Sequence, residues 1–130
     1  MRDPRPDLVW SGKRLAIRRE YGTYMDSPTW FARRKRWIAE WEKATGSTPS
    51  CLACGGEWST RRGDLHHRTY DRLGHERAND LIPLCRACHD QLHARMEGSP
   101  EWRKRPRPQA TDALLAHMRR RKETVDDGRD

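Results

Sequence analysis

A chain of 130 residues has room for one domain plus tails, and with 34% hydrophobic against 35% charged side chains its apolar core must be small. The formal charge of +8 and pI near 9.9 point to a polyanionic partner, with nucleic acid as the first candidate. No stretch approaches the length of a membrane span, and the opening MRDPRPDLVW has no apolar signal segment, so a membrane protein and a secreted disulfide scaffold are both disfavoured and a reducing, cytoplasmic setting is expected.

In chain order, residues 1–12 read as a loose arm, and Lys13 to Glu20 as a short basic helical segment too poor in apolar residues to define a face. Ser27-Pro28 supplies an N-cap followed by proline at the first helical position. Trp30, Trp37, Ile38 and Trp41 then recur at helical spacing and form a core face, opposite Arg33, Arg36, Glu40 and Lys43. Gly46 ends the helix. Cys51-Leu-Ala-Cys54-Gly-Gly is a tight knuckle, Trp58 to Gly63 a hairpin edge, and Asp64 to His67 a short strand. Arg68 to Asp80 is polar, contains Gly74 and reads as an ordered loop. Leu81, Ile82 and Leu84 return as a strand. Cys85 opens a second knuckle, and Ala87 to Met96 is a helix on which His89 and His93 share a face. Gly98 ends the domain. Ser99 to Pro108 reads as an extended basic linker, Ala110 to Lys122 as a short helix with Leu114, Leu115 and Met118 on one side, and Asp126 to Asp130 as a frayed acidic tail. The expected division is an arm over 1–26, a domain over 27–98 and a mobile basic tail over 99–130.

Two C-x2-C pairs about thirty residues apart can bring four thiolates around one tetrahedral Zn²⁺, and a chain this poor in apolar residues needs such a staple. Cys51, Cys54, Cys85 and Cys88 make that a closed, structural site. Five of the six histidines lie between Leu65 and His93, so they are surplus to the zinc. His66, His89 and His93, one from a strand and two from a helical face, are the natural ligands of a second divalent ion with open positions. His67 follows His66 in an extended segment and points to the opposite side, where a neutral imidazole can take a proton from water. The ion's task there is to neutralise charge on a phosphate and its leaving oxygen. His75 and His117 read as solvated, Tyr70 as packing beneath the loop, and Glu76 as a brace of the loop with no catalytic part.

The run His66-His67, then Asn79-Asp80, then Cys85-x2-Cys88-His89-x3-His93 resembles an HNH endonuclease of the four-cysteine zinc type, as found in small phage and bacterial HNH proteins. The resemblance spans about Tyr21 to His93 and takes in Tyr21, Tyr24, Ser27, Pro28 and Trp30, together with Thr69, Tyr70, Gly74, Glu76, Asp80 and Leu81. It implies an α+β fold: a small ββα-metal, treble-clef-like domain with an N-terminal helix and a flexible basic C-terminal tail. It also implies DNA phosphodiester hydrolysis with one catalytic divalent ion, Mg²⁺ or Mn²⁺, leaving 5′-phosphate and 3′-hydroxyl ends. Carried over by position, His66 and His89 are metal ligands, His93 an additional ligand and His67 the general base. The chain departs from the family at the central residue: the register to Cys85 favours Asp80, whereas residue type favours Asn79. Expected partners are DNA and a protein of a phage or bacterial assembly, with no membrane. The rival readings are a non-catalytic zinc-dependent DNA-binding module and a nuclease acting on RNA or junctions.

Overall fold

The computed structural model describes residues 20–127, with side chains through residue 121. The arm over residues 1–12, most of the basic segment that follows it and the last three residues of the tail lie outside the described residues. A helical stretch over residues 20–25 leads to α1 (Pro28–Thr45), which starts where the Ser27 hydroxyl accepts from the Trp30 amide at 3.2 Å and stops at Gly46, φ 75°. Trp30 and Trp37 are buried on its inner face as their spacing requires, with Ile38 and Trp41 packed beside them. Arg33 departs from expectation. It is 3% exposed rather than solvated, because its Nε donates to the Glu76 carbonyl and its terminal nitrogen to Glu40.

The sheet is a two-stranded antiparallel hairpin, β1 (Gly63–His67) against β2 (Leu81–Cys85), in a register that sets Gly63 opposite Cys85 and His67 opposite Leu81. The segment over 58–62 is a turn rather than a strand edge. Its Trp58 indole donates to both the Asp64 and Leu84 carbonyls, and it lies so close over Gly63 that a Cβ there would collide with it. A 3-10 turn over Ala78–Asp80 closes the polar loop before β2.

Alternation along the hairpin separates two cores. Leu65 and Leu81 join Trp30, Trp37 and Trp58 on one face. On the other, Ile82 and Leu84 meet Leu92 and Met96 of α2 (Arg86–Glu97). This second core has a further contributor. After α3 (Pro100–Lys104), helix α4 (Arg107–Asp127) buries Ala110, Leu114, Leu115 and Met118 in it. The expected extended linker and mobile tail are therefore corrected. Ser99 and Pro100 start a helix as Ser27 and Pro28 do, and four apolar side chains of α4 leave water on docking. Among the described residues, no helix is long and apolar enough to cross a membrane.

Candidate metal centres

The four cysteines converge from three elements: Cys51 and Cys54 from the knuckle, Cys85 from the end of β2 and Cys88 from the first turn of α2. Gly55 at φ 76° and bonds from the Cys51 amide to the Gly56 carbonyl and from the Gly55 amide to the Cys51 carbonyl fold the knuckle. The two knuckles repeat one device, since the Cys54 and Cys88 amides donate to the Cys51 and Cys85 sulfurs, each at 3.5 Å. All four sulfurs lie within 4.8 Å of one another, and Cys54 Sγ is 3.9 Å from Cys85 Sγ. A tetrahedral Zn²⁺ with bonds of about 2.3 Å needs sulfurs ~3.8 Å apart, so the donor set fits. None of the thiols is in a disulfide. Burial raises Cys54 and Cys88 above an ordinary thiol, and neighbouring sulfurs add to the rise; at Cys51 burial is outweighed by backbone hydrogen bonds. Four such groups carry charge together only around a cation.

The histidines form a separate cluster. His66 projects from β1 toward α2, where His89 and His93 stand one turn apart; the ring centroids are 5.5 Å (His66 to His89), 5.3 Å (His66 to His93) and 4.4 Å (His89 to His93) apart. One ring nitrogen from each lies within 4.8 Å of the others. His66 is 1% exposed; its Nε2 is 3.1 Å from the Thr111 hydroxyl, and its Nδ1 is buried with no hydrogen-bond partner. Burial, then the Arg107 guanidinium and the other histidines, hold His66 well below the ordinary imidazole range. Burial also lowers His89, against the pull of Asp64, whose Oδ2 is 3.2 Å from His89 Nδ1. Three imidazoles whose ring nitrogens approach one another this closely could hold a divalent cation, and the buried His66 Nδ1 is a donor atom with no other partner. His93 Nδ1 lies 3.9 Å from Glu97.

His67 lies on the opposite face from His66, as strand alternation requires, yet it does not stand open toward a substrate. Its side chain is fully buried. The rings of Trp30, Tyr21 and Tyr70 lie 4.8, 5.6 and 5.9 Å from it. Its Nε2 is 2.8 Å from Glu76 Oε2, and its Nδ1 is buried without a partner. Glu76 also accepts from the Tyr24 hydroxyl at 2.9 Å. Burial would raise the Glu76 carboxyl, but hydrogen bonds from His67, its own amide and Tyr24 outweigh it and leave it low.

Of the two candidates for the central residue, Asp80 is buried and Asn79 exposed. The Asp80 carboxylate accepts from Arg72 Nε and one of its terminal nitrogens and from the Arg77 amide, while its carbonyl accepts from the Arg68 amide, next to His67. His75 and His117 are exposed, as expected. Sequence reasoning passed over Thr111 and Arg107. Thr111 is 45 positions from His66 with no spacing to link them, and Arg107 sat in a segment read as linker. For Glu76, a buried acid in a polar loop, sequence offers no sign of burial.

No family model matches this chain, and no curated protein or solved structure matches it either.

Proposed function

We propose that this is a metal-dependent endonuclease of the HNH kind, hydrolysing DNA phosphodiester bonds on a zinc-stapled scaffold. The observation that carries the proposal is the surplus: His66, His89 and His93 converge apart from the four thiols, with a buried imidazole nitrogen left unpaired. A purely structural zinc knuckle has no use for that second set of ligands. The three histidines would hold the catalytic ion, Mg²⁺ or Mn²⁺, and the four cysteines Zn²⁺. The bound ion supplies charge neutralisation at the phosphate and the leaving oxygen. His67, held through Nε2 by Glu76, has Nδ1 without a partner but buried beneath Tyr21, Trp30 and Tyr70, so it would accept the proton of the attacking water once those rings move aside. The P–O bond to the 3′ oxygen would then break and that oxygen take a proton from solvent, leaving a 5′-phosphate and a 3′-hydroxyl. Asp80 would act at one remove, bracing the backbone after His67 through the Arg68 amide. Exposed Arg61, Arg62 and Arg86 near the hairpin and α2 suit the strand's phosphates.

A second reading, a zinc-dependent DNA-binding module without catalysis, is favoured by the burial of His67 beneath Tyr21, Trp30 and Tyr70. Supercoiled plasmid separates the two. The zinc-loaded chain should nick or linearise it only when Mg²⁺ or Mn²⁺ is added. Tight binding with the plasmid left intact under every divalent ion would overturn the nuclease reading in favour of the module.

A further inference from the structure

Three consecutive residues at the end of β1 are each held by one stretch of α4. The His66 ring meets the Thr111 hydroxyl at 3.1 Å, and the His67 carbonyl accepts from Arg107 Nε at 2.8 Å. The Arg68 guanidinium pairs with both oxygens of Asp112, at 2.8 and 2.6 Å. Arg107 and Thr111 are one helical turn apart and so face the strand together. The Arg107 guanidinium also lies over the Tyr70 ring, 4.3 Å from its centroid. Thr111 is wholly buried among apolar neighbours, between Ala110 and Leu114. A hydroxyl there is costly unless bonded, and the bond it makes is to the one histidine of the cluster that comes from the strand.

We propose that Thr111 positions His66 for the divalent ion, which makes α4 a component of that centre and couples ion binding to docking of the helix. The inference rests on reading His66, His89 and His93 as a divalent-ion site. A ligating imidazole needs its second nitrogen tied to a fixed acceptor, which sets both tautomer and ring orientation. With Thr111 Oγ1 accepting from Nε2–H, the lone pair sits on Nδ1, the atom buried without a partner. His89 has the equivalent partner in Asp64. Thr111 touches neither substrate nor ion, so it is a positioning residue.

The test is Mn²⁺ titration calorimetry on the full zinc-loaded chain, comparing wild type with Thr111→Val and Thr111→Ser, alongside amide hydrogen exchange across α4. Loss of such a partner typically weakens metal binding by about 10- to 100-fold. Thr111→Val should show that loss while keeping a cooperative, though lower, Mn²⁺-free thermal transition, and Thr111→Ser should recover most of the affinity. In wild type, Mn²⁺ should slow exchange in α4. Wild-type affinity in Thr111→Val overturns the proposal, as does Mn²⁺ binding to wild type with no added protection of α4. Should the valine variant fail to fold, the serine variant and the wild-type exchange pattern decide it. If wild type binds no Mn²⁺ at all, the divalent-ion site itself is wrong, which is a different failure.

Discussion

Glu76 ties three elements together with one carboxylate and one carbonyl. It receives His67 from β1, Tyr24 from the helical residues 20–25 and, through its carbonyl, Arg33 from α1. Glu76→Ala would leave the buried His67 Nε2 without an acceptor and strip the Tyr24 hydroxyl of its partner. The stranded buried imidazole costs about 1–3 kcal/mol, and the half-buried Tyr24 hydroxyl less. The expected outcome is a clear fall in the denaturant midpoint of the zinc-loaded chain, with slope unchanged; an unaltered midpoint would show that the network is incidental. Asp80 and Asn79 offer a paired comparison. Asp80→Ala removes the acceptor of Arg72 and of the Arg77 amide from a buried position, whereas Asn79 is exposed. Asp80→Ala should therefore lower both the thermal midpoint and the cleavage rate, and Asn79→Ala should leave both near wild type. The opposite order would place the central role on Asn79.

At the scale of elements, the thiol site joins the knuckle, β2 and α2, so its loss removes more than a surface clip. Structural Zn²⁺ contributes ~10–16 kcal/mol of apparent binding free energy, against a net stability of about 5–15 kcal/mol for a domain. Cys85→Ala should abolish the cooperative thermal transition. A transition near that of wild type would contradict a structural zinc. Helix α4 is the other joint. Removing residues 99–130 would strip Ala110, Leu114, Leu115 and Met118 from the core around Leu84 and Leu92. The truncated chain should lose cooperative unfolding by near-ultraviolet circular dichroism, where a dispensable tail would leave it intact. These two elements differ in how far sequence disclosed them. Thiol and histidine spacings anticipated which side chains would cluster because metal geometry imposes short, regular intervals, and the period of the Trp30 face and of β1 followed from helix and strand geometry alone. The burial of Arg33 was hidden because it depends on the Glu76 carbonyl 43 positions away, and that of Glu76 because its carboxylate is held by Tyr24, 52 positions away, as well as by His67. Beyond Gly98 the helix over Ala110 to Lys122 was legible from its apolar side, but its earlier start, its docking and the short helix before it were not. Pro100 and Pro108 suggest extended chain on composition, yet both sit in the first turn of a helix, where proline loses no hydrogen bond.

At the scale of the whole molecule, a charge of +8 on 130 residues would make phosphate contact the dominant source of affinity for the proposed DNA partner. A chain making about 6–10 such contacts should lose ~10³–10⁵ in affinity between 50 and 200 mM salt, as read by fluorescence anisotropy. A flat salt dependence would remove DNA as the partner. In the proposed reaction, His66, His89 and His93 would hold the ion and His67 would accept the proton. The most direct measurement is initial cleavage rate of supercoiled plasmid against Mn²⁺ concentration for wild type, His66→Ala and His67→Ala, at saturating DNA. His66→Ala should need far more Mn²⁺ to reach half its maximal rate. His67→Ala should keep the wild-type half-saturation and plateau lower by ~10²–10⁴, a loss that added Mn²⁺ does not repair. Curves for both variants that superimpose on that of a cutting wild type would contradict the account.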